Sequence, residues 1–169
     1  AGRRRPVHAV ARGAQAAVKI AVLNGPNLNL LGTREPELYG RATLQDIEAR
    51  LRDVGRELGV ELEFFQLNGE GELVERIHAL GGVVRGAVVN AGAYTHTSLA
   101  LRDALVGVSL PFVEVHLTNI HAREPVRRRS MLAGAAIGVV CGFGALSYEL
   151  GLRALVAHLR GDCPPGGTH

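Results

Sequence analysis

The chain has 169 residues, 47% of them hydrophobic and 21% charged, which is enough apolar material for one domain with a substantial core. No apolar run approaches the length of a membrane-spanning helix, so the composition predicts a soluble globular protein rather than a membrane protein. The aromatic content is 4%, with no Trp, which counts against a module that stacks nucleic-acid bases.

The net charge of +3 comes from the N-terminal end of the chain. No Asp or Glu occurs before Glu35, whereas the first 19 positions hold five basic residues: Arg3, Arg4, Arg5, Arg12 and Lys19. The remaining 14 basic and 16 acidic residues give a net charge of −2. The body of the chain is therefore acidic, which does not favour a nucleic-acid partner.

The two ends of the chain differ in composition from its body. Residues 1–17 show no hydrophobic periodicity and are rich in Arg and Ala, which predicts a disordered basic arm. An organellar targeting peptide has the same Arg-rich, acid-poor character, and a vector-derived extension is a third interpretation. We expect a single domain over 18–160 and a flexible, Pro/Gly-rich tail over 161–169.

The first predicted strand, residues 20–23, leads into a loop that we expect to cover a site. The strand ends at Asn24-Gly-Pro-Asn27, a sequence typical of turns. A polar stretch continues to Gly40, and loops of this length inside a domain are commonly lids or binding loops. Gly32 and Gly40 are predicted hinges, because Gly adopts backbone angles that other residues avoid.

Helical and strand patterns alternate along the rest of the chain. Thr43 and Asp46 predict a capping box at the start of the first long helix, and Gly59 ends it. Hydrophobic spacing predicts helices over 44–58, 71–80, 98–106 and 146–159, strands over 60–67, 86–89, 111–117 and 135–140, and a basic loop or short helix over 121–130. Five strands that alternate with helices predict an α/β fold with a parallel sheet.

Polar side chains follow the first, third and fourth strands of this pattern. They are Asn24 and Asn27, then Asn90 and His96, then His116 and Thr118. In a flavodoxin-like, doubly wound sheet of order 2-1-3-4-5, with helices on both faces, these three strands are neighbours. Their carboxyl ends then flank the switch-point crevice where open α/β sheets bind ligands. The sequence therefore predicts a binding or catalytic site there.

Each of these residues also has a purely structural interpretation. Asn24 and Asn27 could make turn hydrogen bonds, and His96 could belong to the loop that caps the third helix. Glu114 and His116 lie on one face of the fourth strand, either as a structural ion pair or as a carboxylate that orients a catalytic imidazole. Their position beside the other polar segments favours catalysis.

Neither the histidines nor the cysteines form a metal-binding pattern. The spacing of Glu114, His116 and His121 matches no compact ligand motif, and no Cys lies near them. Cys141 and Cys163 are far apart and form no redox motif, which favours a reducing, cytoplasmic setting. We therefore expect no metal ion.

The Arg-rich segment 123–129 follows the fourth strand and has three interpretations. It could bind a phosphate or carboxylate, form a nucleic-acid patch, or simply be a solvated face. Because Arg makes bidentate contacts with carboxylates, we expect at least one of these arginines to reach the crevice. The sequence contains no Walker A loop, dinucleotide-binding fingerprint or nucleophile elbow.

Four sequence blocks together resemble the type II 3-dehydroquinate dehydratase family. They are Leu23-Asn-Gly-Pro-Asn-Leu-Asn-Leu-Leu-Gly, Arg34-Glu-Pro-Glu-Leu-Tyr-Gly, Asn90-Ala-Gly-Ala-Tyr-Thr-His-Thr-Ser and Glu114-Val-His-Leu-Thr-Asn-Ile-His-Ala-Arg-Glu. The resemblance implies a flavodoxin-like subunit assembled as a dodecamer of trimers, without cofactor or metal, and with no nucleic-acid or membrane partner. It implies a lyase that removes water from 3-dehydroquinate by anti elimination, through an enolate, to give 3-dehydroshikimate. The reaction serves the shikimate pathway to aromatic amino acids or quinate breakdown, and the sequence does not separate these roles.

The resemblance also implies catalytic roles for six residues. Tyr39 matches the base, and since a free Tyr has a pKa of about 10, Arg34 and Arg123 are implied to stabilise its ionised form by charge. Asn27 matches the residue that holds the water or enolate oxygen. The general acid is matched by His116, which Glu114 orients.

Further positions match substrate contacts of the family: Asn90, His96, Asp103, Leu117, Thr118 and Arg127. Of these, Asp103 is implied to reach the site of a neighbouring subunit. Departures from the family pattern are small. Leu67 stands where a Ser is more common, Gly69 replaces a bulkier polar residue, and Thr118 replaces a Ser but keeps the hydroxyl.

A non-catalytic, flavodoxin-like protein that binds a small molecule is the alternative from a different class. Such a protein would keep the crevice without turnover. The presence of both Tyr39 and His116 argues against it, because binding alone needs neither an acid nor a base.

Overall fold

A computed structural model of the chain describes residues 17–33 and 35–163. The predicted basic arm, except for Ala17, and the end of the predicted tail, 164–169, lie outside the described residues. So does Arg34, for which the sequence predicts a catalytic role.

The described residues form a five-stranded parallel sheet in the order β2-β1-β3-β4-β5. Its strands are β1 Val18–Asn24, β2 Val60–Gln66, β3 Gly86–Asn90, β4 Phe112–His116 and β5 Gly138–Cys141. The helices are α1 Pro36–Tyr39, α2 Leu44–Leu58, α3 Glu70–Leu80, α4 Leu99–Gly107 and α5 Leu146–Arg160. None of these described helices is long and apolar enough to cross a bilayer.

Two hydrophobic clusters cover the two faces of the sheet. On one face, α2 and α5 pack on strand residues that include Val22, Val88 and Val115. On the other face, α3 and α4 pack on the alternate strand residues, among them Leu23 and Val89. The predicted flavodoxin-like, doubly wound fold and its strand order are confirmed.

Local chemistry explains why α2 has the predicted bounds. The Thr43 hydroxyl accepts a hydrogen bond from the Asp46 amide at 3.1 Å, and the Asp46 carboxylate accepts one from the Thr43 amide at 2.9 Å. This reciprocal capping box satisfies two amides that the helix leaves unpaired, and it lowers the pKa of Asp46. At the other end, Gly59 adopts a left-handed φ of +67° that ends the helix.

Two predicted segments differ in the structure. The fifth strand, predicted over 135–140, begins only at Gly138, since the residues before it form turns in which the Ala135 and Ala136 amides donate to the Leu132 carbonyl. The predicted loop over 24–40 contains a 3₁₀ turn at Leu28–Leu30 and the short helix α1. The predicted loop is therefore partly helical.

The contact between α5 and β4 gives a test of this packing. A Cβ on Gly151 would lie 2.5 Å from Cγ1 of the buried Val115. Gly151→Ala should therefore lower the free energy of unfolding by about 1–3 kcal/mol, although Ala normally favours a helix by about 1 kcal/mol. Gly71→Ala in α3, where the added Cβ would meet nothing within 4 Å, is the control and should be neutral or stabilising. Urea unfolding of both variants checks this, and equal effects would contradict the close packing.

Candidate active site

The carboxyl ends of β1, β3 and β4 meet in one crevice, as the strand order requires. Asn24 pairs in register with Asn90, and Val89 pairs with Glu114. The crevice encloses about 140 Å³. Nine of the twelve predicted site residues line it: Asn27, Tyr39, Asn90, His96, His116, Leu117, Thr118, Arg123 and Arg127.

The structure places two predicted site residues elsewhere. Glu114 lies directly beneath the crevice, with none of its surface exposed. Asp103 lies on α4, with 73% of its side chain exposed and its carboxylate 3.6 Å from the Arg102 guanidinium. It does not line the crevice of its own chain, so its implied role in a neighbouring subunit stays a prediction.

Strand β4 carries a buried carboxylate–imidazole pair. Nε2 of His116 lies 2.6 Å from Oε1 of Glu114, and strand alternation places both side chains on one face, as predicted. The Ser130 hydroxyl lies 2.9 Å from each oxygen of the same carboxylate. Because an ionised carboxylate can only accept hydrogen bonds, Nε2 is the donor, and Nδ1 of His116 is left for another partner.

His96 lies across the crevice from this pair. Its Nδ1 lies 2.7 Å from the backbone carbonyl of Arg129, and its ring lies 6.3 Å from the His116 ring, with the planes 20° apart. Since a carbonyl only accepts, Nδ1 carries the hydrogen, and a neutral His96 has an accepting Nε2. The cap of α4 is instead Ser98, whose hydroxyl accepts from the Leu101 amide at 3.0 Å.

On another wall of the crevice, Arg123 connects α1 to the end of β4. One of its guanidinium nitrogens lies 3.4 Å from the Tyr39 hydroxyl and 3.3 Å from the Thr118 hydroxyl. The hydrogen bond to Tyr39 is the main cause that raises the pKa of Arg123. A permanent positive charge therefore lies beside the phenolic oxygen.

Of the Arg-rich segment, only two members reach the crevice: Arg123 and Arg127. Both contact the carboxylate of Glu124. The pKa of Glu124 is lowered mainly by a hydrogen bond from its own backbone amide, and further by the hydrogen bond from Arg127. Arg128 and Arg129 are exposed. The expectation that at least one arginine would reach the crevice is confirmed.

The turn after β1 holds Asn27 in an unusual backbone conformation. Asn27 has a φ of +67°, in the left-handed region that few non-glycine residues adopt. Its amide donates to the Asn68 side chain at 3.0 Å, which secures the turn. The turn passes so close to β3 that a Cβ on Gly25 would lie 2.3 Å from the Ala91 carbonyl oxygen. Only glycine fits there.

Beneath the crevice lies a buried hydrogen-bond chain that the sequence analysis missed. The Tyr148 hydroxyl donates to the Asn24 side chain at 2.6 Å and accepts from the Asn90 amide at 2.9 Å. The Gly92 amide donates to the Asn90 oxygen at 3.2 Å, which fixes how the Asn90 carboxamide faces the crevice. Tyr148 lies on the apolar face of α5, and a tyrosine in that position is a signal that its hydroxyl needs a buried partner.

The histidines of the crevice form no metal cluster. Within the part of the chain that the structure describes, no group of three or more His, Cys, Asp or Glu side chains is placed to hold a metal ion.

The fold and the site define a doubly wound α/β domain whose switch-point crevice, where open sheets of this kind bind ligands, is lined by a Tyr–Arg pair and by a histidine bound to a buried glutamate. The chain belongs to the class II dehydroquinase family, whose model matches residues 18–156, and it is an enzyme of that family.

Relatives support this assignment along most of the chain. The chain is 64% identical, over 85% of its length and 98% of the relative's, to a 3-dehydroquinate dehydratase of Synechococcus sp. (strain WH7803). It is 65% identical to one of Gemmatimonas aurantiaca, over 83% and 92% of the two chains. The crystal structure of type II dehydroquinase from Butyrivibrio crossotus superimposes with a TM-score of 0.81 at 36% identity, over 83% of this chain and 99% of that one. The type II dehydroquinase from Propionibacterium acnes gives 0.80 at 41% identity, over 83% and 97%.

The buried Tyr148 chain can be tested by its dependence on pH. Tyr148→Phe removes the partner of two buried side-chain atoms, Oδ1 of Asn24 and Nδ2 of Asn90, so the free energy of unfolding at neutral pH should fall by about 1–3 kcal/mol. Burial raises the pKa of Tyr148 well above its usual value. In the unfolded chain the hydroxyl ionises near its ordinary pKa of about 10, so wild-type stability is lost as the pH rises above that value. The difference in the free energy of unfolding between wild type and Tyr148→Phe should therefore become smaller as the pH rises above about 10.

Urea unfolding between pH 7 and pH 11 measures this gap. Tyr94→Phe is the control, because the Tyr94 hydroxyl donates to the Asn68 carbonyl from a partly exposed position and its loss should cost less at neutral pH. A gap for Tyr148→Phe that does not change with pH would contradict a buried, neutral hydroxyl.

Proposed function

We propose that the protein is a type II 3-dehydroquinate dehydratase, which removes water from 3-dehydroquinate to give 3-dehydroshikimate. The observation that carries the proposal is that one crevice is lined both by the Tyr39–Arg123 pair and by His116, which the buried Glu114 binds from beneath. Relatives about 65% identical that carry the name 3-dehydroquinate dehydratase support the same substrate.

The base of the proposed reaction is Tyr39. It removes a proton from the carbon next to the ketone, and the electron pair of that C–H bond forms an enolate. The Arg123 guanidinium, 3.4 Å from the phenolic oxygen, supports this role because a nearby positive charge favours the anionic form of an oxygen. Arg34, on the same loop in the sequence, is proposed to add to this charge.

The acid of the proposed reaction is His116. Its Nε2 is bound to Glu114, so the acid is the imidazolium form, which carries its second proton on Nδ1. That proton goes to the departing hydroxyl, and the ring is left neutral with its hydrogen on Nε2. The enolate then collapses, the C–O bond breaks, and water leaves a conjugated enone. Each of the two proton transfers contributes a factor on the order of 10²–10⁴ to the rate.

Polar groups around the pair are proposed to hold the substrate. Asn27 is suited to the water or the enolate oxygen, while Asn90, His96 and Arg127 are suited to hydroxyl and carboxylate groups. The backbone at Leu117 and the hydroxyl of Thr118 complete this set of donors. All six line the crevice with His116.

The departures at Leu67 and Gly69 leave this arrangement intact. Leu67 packs against the cluster that includes α3, and the Gly69 amide donates to the Glu72 carboxylate at 3.1 Å at the start of α3. Between them, Asn68 still accepts from the Asn27 amide. We expect an effect on assembly or affinity rather than on the proton transfers.

We also propose that the protein acts in the cytoplasm as a dodecamer that is built from trimers. In that assembly, Asp103 would reach the crevice of a neighbouring subunit. Its exposure on α4, away from the crevice of its own chain, supports this placement.

The test of the function is an ultraviolet assay. Purified protein is mixed with 3-dehydroquinate and a chelator, and the conjugated enone of 3-dehydroshikimate is followed by its absorbance. Rapid, chelator-resistant growth of the signal is expected. A flat trace from folded protein that still binds 3-dehydroquinate in calorimetry would instead identify a non-catalytic binding protein.

The role of Tyr39 can be tested separately. Tyr39→Phe keeps the ring and removes only the hydroxyl, so kcat should fall by a factor on the order of 10²–10⁴. Because α1 buries none of its residues, the melting temperature should not change. Near-normal turnover by the folded variant would remove Tyr39 from the role of base.

A further inference from the structure

The three residues Arg129–Met131, which we call the strap, connect to both histidine-bearing segments of the crevice. The Arg129 carbonyl accepts from Nδ1 of His96 at 2.7 Å. The Met131 amide donates to the Thr95 carbonyl at 2.8 Å. Between them, Ser130 contacts the Glu114 carboxylate. One short segment therefore reaches both sides of the site.

The hydrogen-bond partners of Ser130 determine where its hydrogen points. Its oxygen accepts from the Leu132 amide at 3.0 Å and from the Ala133 amide at 2.9 Å. A hydroxyl has two lone pairs and one hydrogen, so both acceptor positions are occupied. The hydrogen must point to Glu114, whose two oxygens lie at the same distance of 2.9 Å. Ser130 is thus a donor shared between both oxygens of the carboxylate.

This donor matters because Glu114 is completely buried. The only side chains that donate to it among the described residues are those of His116 and Ser130. Without the hydroxyl of Ser130, the carboxylate would keep the imidazole as its one partner and could rotate about its own axis. The position of Oε1, which orients the His116 ring, would then be lost.

We propose that Ser130 is a positioning residue that holds the Glu114 carboxylate so that His116 keeps its hydrogen on Nε2 and directs Nδ1 toward the substrate. In His96 the hydrogen is on the other ring nitrogen. The Arg129 carbonyl in the strap holds it on Nδ1, which leaves Nε2 as an acceptor. When the His116 ring holds a second proton, that proton is on Nδ1, from which it can pass to a leaving hydroxyl while the hydrogen on Nε2 stays with Glu114. A neutral His96 can instead accept a hydrogen bond from a substrate hydroxyl. The catalytic part of this inference rests on the proposed function.

The experiment compares Ser130→Ala with Ser130→Thr, which keeps a hydroxyl. Ser147→Ala is the matched control, because the Ser147 hydroxyl also accepts a backbone amide, that of Phe143, at 3.1 Å, and is buried whereas Ser130 is half-buried. In the dehydratase assay, Ser130→Ala should lower kcat about ten- to a hundredfold with little change in KM. Ser130→Thr should recover most of the rate, and Ser147→Ala should leave kcat unchanged.

A second measurement does not depend on turnover. In protein with ¹⁵N-labelled histidine, the ring signals of His116, identified by their absence from His116→Ala, report which nitrogen carries the hydrogen. At an alkaline pH, where the ring holds a single hydrogen, we expect that hydrogen on Nε2 in the wild type and in Ser130→Thr, and on either nitrogen in Ser130→Ala.

The possible results separate the two proposals. A folded Ser130→Ala protein with the wild-type kcat and an unchanged His116 signal would overturn the role of Ser130, as would a rise in KM alone. If the wild type does not turn over 3-dehydroquinate, the proposed function fails, while the histidine signals still decide whether Ser130 positions the ring.

Discussion

The burial of the Glu114 charge is the constraint on which the site depends. Strand β4 lies between β3 and β5, with both faces covered, and a carboxylate placed there costs several kcal/mol unless donors surround it. His116 and Ser130 supply those donors. Because this one buried charge needs both donors, Glu114 in the middle of β4, His116 at the end of the same strand and Ser130 in the strap are held in one fixed arrangement.

The parts of the fold that were predictable from sequence are those decided by near neighbours in the chain. The bounds of α2 follow from a capping box at Thr43 and a left-handed Gly59. The burial of β3 follows from its uninterrupted apolar sequence, which suits a parallel strand covered on both faces. The site was also predictable in outline, because the carboxyl ends of adjacent parallel strands must meet and the polar residues follow those ends.

What was not predictable depends on residues far apart in the chain. Tyr148 lies 124 positions from its partner Asn24, and Ser130 lies 16 positions from Glu114. Nothing in local periodicity specifies such pairs. The start of β5 was misplaced for a related reason. Residues 135–137 match a strand pattern, but the turn that follows the buried Leu132 takes the amide hydrogen bonds of Ala135 and Ala136, and contacts of this kind override propensity.

The two halves of the proposed chemistry lie on elements of unequal local stability. The proposed acid, His116, lies on β4, a strand in which every residue is buried, whereas Tyr39 is carried by α1, a four-residue helix with no buried residue. Elements with little buried surface open at a smaller free-energy cost than the whole domain. Mild denaturant or heat should therefore inactivate the enzyme while the sheet is still folded, and this inactivation should reverse as soon as the stress is removed.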